Sequence, residues 1–198
     1  MKELDLGRRH ALVVVDMQRD FFNDSELARC RDDLVAACNR LIDAALDIGA
    51  PVFDVRTVHR ADRSTWSLNM HEDGAGMTVE GTAGVERVAG LHEGTEIIHK
   101  TRDSAFHRTA LADRLRELGS DIVLLCGVST ESCIAATATD AYAHDLRVIH
   151  VADAEASIDW NLHERTLALL HDQYRQPRAS TDEVLASLTG AAGAPRCP

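Results

Sequence analysis

Five short strand-like runs, separated by segments of helical periodicity, constrain this chain more than any other feature. The runs are His10–Val15, Pro51–Val55, Thr95–His99, Ile122–Cys126 and Arg147–Val151. Each is too short for a globular helix, and most are rich in Val, Ile or Leu, so they read as buried strands. Between them the spacing predicts helices over Ser25–Ile48, Thr109–Leu118, Thr130–His144 and Asn161–Tyr174. In the first, Leu27, Cys30, Leu34, Leu41, Ala45 and Ile48 keep helical spacing, and Gly49 supplies the C-terminal stop. Gly119 does the same for the second. A short sixth strand is expected over Gln176–Ala179, and Ser180-Thr-Asp-Glu183 is a capping box for a last helix to Leu188.

Strands that alternate with helices pair in parallel, and the crossover helices cover both faces of the sheet. The expectation is therefore an α/β fold with a mostly parallel six-stranded sheet in the order 3-2-1-4-5-6. It occupies one domain over 1–189, and 190–198 form a mobile tail. At 198 residues the chain is long enough for one domain with its own core. One segment interrupts the pattern. Residues Val58–Glu93 show no clean period and carry Gly74, Gly76, Gly81, Gly84 and Gly90. A connection that long is usually functional, as a lid or a pocket wall.

A net charge of −11 argues against a nucleic-acid partner, which needs a basic face. The N-terminal MKELDLGRRH is charged, and the Ala11–Val15 run after it is too short for a signal sequence. No stretch reaches the length of a membrane span, so a cytoplasmic protein with no membrane partner is expected. The five cysteines, Cys30, Cys38, Cys126, Cys133 and Cys197, are odd in number and form no CxxC pair. They are expected to be free thiols.

In open α/β sheets ligands bind outside the carboxyl ends of the strands, where the strand order reverses. Strand one ends at Asp16, strand three at Lys100, and strand four leads into a helix whose first turn carries Cys133. Singly, each has an ordinary reading: a buried small residue, a capping carboxylate, a solvated lysine. Their joint placement at one sheet edge points to chemistry. A helix N-terminus and a nearby ammonium lower a thiol's pKa. An adjacent carboxylate moves protons, a lysine orients it, and backbone N–H groups at the helix start stabilise an oxyanion.

Three segments carry a family resemblance: VVVDMQRDFF (Val13–Phe22), IIHKTRDSAFHRTAL (Ile97–Leu111) and LCGVSTESCIAATATDA (Leu125–Ala141). The chain resembles the isochorismatase-like superfamily of cysteine hydrolases, which includes nicotinamidases, N-carbamoylsarcosine amidases, and ureidoacrylate and biuret amidohydrolases. The resemblance implies that Asp16 is the general acid/base, Lys100 its partner and Cys133 the nucleophile. It also implies a cis peptide between Val128 and Ser129, with the N–H groups of Ser129 and Cys133 as the oxyanion hole. The implied reaction is hydrolysis of a C–N bond in a small amide or carbamoyl compound through a thioester. The resemblance further implies a homo-oligomer, dimer or tetramer. The thiol sets the chain apart from the isochorismatase branch proper. Nicotinamidases carry a metal beside an Asp-x-His motif at the end of strand two. This chain has Asp54-Val55-Arg56 there, and arginine is no metal ligand. Asp54, His59 and His71 are the remaining candidates, and the expectation is no metal and no cofactor.

Substrate-binding candidates come from the irregular segment and the element ends: Phe22, Trp66 and Glu131 first, with Asn69, Met70, Phe106 and Trp160 behind them. Glu131 could contact a cationic substrate, but the reading preferred for it is a residue that favours a helix N-terminus. Trp66 reads equally as core or interface packing. Two other functions remain open: hydrolysis of an ester or vinyl ether, and a non-catalytic relative with an oxidisable Cys133.

Overall fold

The structure is a computed structural model and describes residues 9–23 and 25–191. The elements run β1 (His10–Val15), α1 (Ser25–Asp47), β2 (Val52–Thr57), α2 (Leu68–Asp73), β3 (Glu96–Lys100), α3 (Leu111–Leu118), β4 (Ile122–Val128), α4 (Ala135–Ala143), β5 (Arg147–Ala156), α5 (Trp160–Tyr174), β6 (Arg178–Ala179) and α6 (Thr181–Ala191). The sheet has six strands in the order β3-β2-β1-β4-β5-β6, and every pairing is parallel. Of the expected tail, Gly190 and Ala191 continue α6, and 192–198 lie outside the described residues.

Side-chain alternation along β1 divides the core in two. Leu12 and Val14 pack with α1 and α6 residues such as Leu34, Leu41 and Leu188. Ala11, Val13 and Val15 pack on the other face with Leu111, Ile134, Ala138 and Leu170. A central strand buried on both sides needs apolar residues at every position, which explains the unbroken ALVVV.

Several strands outrun their apolar patterns. β2 continues to Thr57, β4 to Val128 and β5 to Ala156. Each extension is held by neighbouring strands rather than by its own composition. In β5 the register against β4 shifts between Leu125 and Gly127, so Ala152–Ala154 are accommodated as an irregularity. The connection Val58–Glu93 is also more ordered than expected. It contains α2 and a 3-10 turn at Ala83–Val85, and isolated bridges tie His59 to Val79 and Gln18 to Arg87.

Register places the strand ends together. Val15 is opposite both Val55 and Gly127, and Thr57 is opposite Lys100. Gly127 makes the close approach of β4 to β1 possible: it has φ +113, and a Cβ there would lie 2.1 Å from the Val15 carbonyl oxygen. Any side chain would push β4 away from the residue that follows Val15, which is Asp16.

Candidate active site

Asp16 leaves β1 in the left-handed region, at φ 54, with its N–H donating to Val55 O at 2.8 Å. This turn brings the carboxylate back over the end of β2. Its Oδ1 accepts from Thr57 N–H and from Thr57 Oγ1, both at 2.9 Å. Its Oδ2 faces Lys100 Nζ at 2.7 Å. The Lys100 ammonium also donates to Thr57 Oγ1 at 2.8 Å and to Arg102 O at 3.1 Å, and reaches Cys133 Sγ at 3.4 Å. Asp16, Lys100 and Cys133 therefore meet at one point, as the sequence predicts. A lysine only 2% exposed is tolerable because every neighbour is an acceptor. Burial pulls its pKa down, but the Asp16 charge and the hydrogen bonds to Asp16 and Cys133 outweigh that and raise it, so it stays an ammonium.

Cys133 does not sit in an α-helical turn. Thr130–Ile134 form a π turn that precedes α4, and the Val128–Ser129 peptide ahead of it is cis. The first five-residue bond runs from Ile134 N to Ser129 O at 3.1 Å. Cys133 N–H thus lies in the opening turn, where helices leave donors without intrahelical partners. The expected low thiol pKa is corrected by the structure. Burial raises it well above the ordinary thiol value and the Asp16 charge adds to this, while Lys100 works in the opposite sense. The desolvated site holds Cys133 as a protonated thiol beside a carboxylate that can receive the proton.

Two residues that the sequence reading passed over hold this geometry. Thr57 bonds both Asp16 and Lys100 through one hydroxyl. Gln18 clamps Thr57 from behind: its Oε1 accepts from Thr57 N at 2.8 Å, and its Nε2 donates to Thr57 O and to Val85 O, both at 2.9 Å. Gln18 lies inside the VVVDMQRDFF segment, so a signal for it existed. Thr57 lies two residues past the expected end of strand two, where nothing marks it.

The other candidates separate. Trp66 is buried near the triad, because Arg102 donates to the Thr65 and Trp66 carbonyls while its own carbonyl receives Lys100. The indole packs on Gly76, Arg63 lies over its ring, and its Nε1 has no partner among the described residues. Glu131 stands on the π turn with one carboxylate oxygen buried and unpartnered. Phe106 packs in the core with Ala105 and stacks on His144, and Trp160 is exposed at the start of α5. Phe22 packs on the α1 face of the sheet and lines a cavity of about 470 Å³ with Arg19, Arg31 and Arg87. The 3-10 turn at Arg19–Phe22 rotates it there, which no strand or helix period could forecast.

Residues 10–182 match the family model of the isochorismatase domain. The chain belongs to the isochorismatase family. Nicotinamidase 3 of Arabidopsis thaliana is 30% identical over 161 residues, covering 79% of this chain and 78% of that protein. The crystal structure of an isochorismatase family protein from Desulfovibrio vulgaris has a TM-score of 0.79 at 32% identity, covering 90% of this chain and 99% of that one. N-carbamoylsarcosine amidase from Thermoplasma acidophilum has a TM-score of 0.76 at 27% identity, covering 88% and 97%. In this isochorismatase-family hydrolase the three metal-ligand candidates each have other contacts. Asp54 Oδ2 is taken by Arg56, at 2.6 and 3.1 Å, and lies 3.6 Å from Arg87. His59 turns Nδ1 to the Thr65 carbonyl at 2.9 Å, and His71 packs against the Trp66 ring. Among the described residues no group of three or more His, Cys, Asp or Glu is placed to hold a metal ion.

Proposed function

We propose that this isochorismatase-family hydrolase is a cysteine-dependent amidohydrolase that cleaves a C–N bond of a small amide or carbamoyl compound. The observation that carries the reading is the single Lys100 ammonium in contact with both Asp16 Oδ2 and Cys133 Sγ. That arrangement couples a proton acceptor to a thiol, which a purely redox thiol does not require.

In the first step Asp16 takes the Cys133 proton as Sγ attacks the carbonyl carbon. The N–H groups of Ser129 and Cys133 receive the developing oxyanion. Asp16 then returns the proton to the departing nitrogen, the C–N bond breaks, and a thioester remains on Cys133. Asp16 next deprotonates water, which attacks the thioester; the carboxylic or carbamic acid leaves and Sγ is reprotonated. Lys100, 2.7 Å from Asp16 Oδ2, holds that carboxyl group in place between steps. The buried Trp66 indole N–H and the free Glu131 oxygen are the polar contacts we assign to the substrate. No metal or cofactor enters this scheme. A reducing cytoplasmic setting and a homo-oligomer belong to the same reading, since a free thiol nucleophile survives best in such a compartment.

The test is covalent trapping. The protein is incubated with a panel of amides and carbamoyl compounds, quenched in acid and weighed intact, as wild type, Cys133→Ala and Asp16→Asn. A substrate-sized adduct on Cys133, absent from the alanine variant, establishes the thioester. Turnover of esters but of no amide would move the reading to another bond type. No adduct from any panel member would sink it.

A further inference from the structure

His163 has no part in the chemistry described so far, yet it is 1% exposed and reaches the nucleophile turn from a different element. Its Nδ1 shares a hydrogen bond of 2.8 Å with Thr130 Oγ1, and Thr130 is itself fully buried. Thr130 lies between Ser129 and Cys133, the two residues assigned to the oxyanion hole. The imidazole is delivered by α5, whose first turn is fixed by Asp159: its carboxylate accepts from Asn161 N at 2.8 Å and from Leu162 N at 3.3 Å. The Trp160 ring stacks on the imidazole at 4.8 Å and shields it from solvent.

The other ring nitrogen decides how to read this contact. His163 Nε2 is buried without a hydrogen-bond partner among the described residues, and Glu164 Oε1, at 4.0 Å, is too far to bond. A half-satisfied buried imidazole costs stability compared with a leucine of similar volume. The side chain is therefore not explained by its own bonding or by packing. What it supplies is one directed bond to Thr130. Burial, outweighing the nearby carboxylates Glu155, Glu164 and Glu131, lowers its pKa, so it is neutral at neutral pH and holds Thr130 without adding charge beside the oxyanion donors.

We propose that His163 is a positioning residue: through Thr130 it holds the Ser129–Cys133 turn with its N–H groups aimed at the developing oxyanion. This rests on the acyl-transfer reading above.

Two reagents separate positioning from general looseness. p-Nitrophenyl acetate acetylates a thiol through an oxyanion and expels p-nitrophenolate; iodoacetamide alkylates the same thiol by displacing iodide, with no oxyanion. Each rate is measured at Cys133, by p-nitrophenolate release and intact mass, for wild type, His163→Leu, His163→Asn, Thr130→Val and Thr130→Ser. Loss of the bond in His163→Leu and in Thr130→Val is expected to slow acetylation about ten- to a hundredfold, within what a misplaced oxyanion donor costs, and to change alkylation by less than about threefold. His163→Asn and Thr130→Ser, which keep a hydrogen-bonding atom in place, recover most of the acetylation rate. If both rates move together, or acetylation is unchanged in Thr130→Val, His163 is a structural residue and the proposal is overturned. If the wild type releases no p-nitrophenolate at all, the acyl-transfer reading fails first and this inference goes with it.

Discussion

Two buried polar networks lie in the same sheet, on either side of β4, and they differ in the chemical groups they hold. At the carboxyl ends of β1, β2 and β3, Asp16, Thr57 and Lys100 bond one another, and Lys100 also reaches the Cys133 thiol. Beside β6, His150 Nδ1 donates to Glu155 Oε1 at 2.8 Å and Nε2 to Gln176 Oε1 at 3.1 Å, while Gln176 Nε2 donates to Ala138 O at 2.8 Å. Carboxylate and amide oxygens only accept, so both ring nitrogens carry protons and His150 is an imidazolium. Burial opposes that charge, but Glu155 and the two hydrogen bonds outweigh it and raise the pKa. The second network joins β5 to α4 through Gln176 and leaves Glu155 Oε2 buried without a hydrogen-bond partner among the described residues. The first holds a thiol in contact with its ammonium. Burial of charge is common to both networks and by itself distinguishes neither.

The largest expected effect breaks the first network and spares the second. Asp16→Asn should cut Cys133 acylation by about 10²- to 10⁴-fold, the range for losing a general acid/base. Because Asp16 is one cause of the high thiol pKa, the same variant should alkylate faster with iodoacetamide at neutral pH. Opposite movement of the two rates is the signature; parallel loss would mean that Asp16 only holds the fold.

Breaking the second network should show in stability. His150→Leu leaves Glu155 buried without its cation and should cost about 3–5 kcal/mol in urea unfolding. The fraction that stays folded should still acylate at Cys133. If its acylation falls as far as in Asp16→Asn, the two networks are not independent.

A smaller effect follows from pH. The folded-state pKa of His150 is raised, so its contribution is fully present below the unfolded histidine pKa and is lost as pH rises through the folded one. The wild type should therefore lose stability on the order of 1 kcal/mol as pH climbs above about 6.5. His150→Gln should flatten that slope in unfolding curves taken from pH 6 upward. The smallest effect concerns Phe22. Phe22→Leu should cost under about 1.5 kcal/mol in thermal unfolding and leave acylation unchanged, since it packs on the α1 face. A drop in acylation would return Phe22 to the substrate pocket.

Much of this was legible before any coordinates. Strand order, parallel pairing and the meeting of Asp16, Lys100 and Cys133 all follow from apolar runs that end where a chemical residue begins. Thr57 was not legible. It carries no pattern, and its role exists only because β2 runs two residues further beside β3. The π turn under Cys133 escaped for a similar reason. Its residues have ordinary helical character, so no periodicity tells a π turn from an α-helical one.

The sequence by itself determined which residues could react, because side-chain chemistry and the two structural periods are written locally. Only the tertiary structure decided their states. Whether Cys133 is a thiol or a thiolate, whether Lys100 keeps its proton, and which face Phe22 takes depend on how much water the fold removes and which charges it places nearby. Desolvation and Coulomb energy belong to positions in space, and the order of residues along the chain does not contain them.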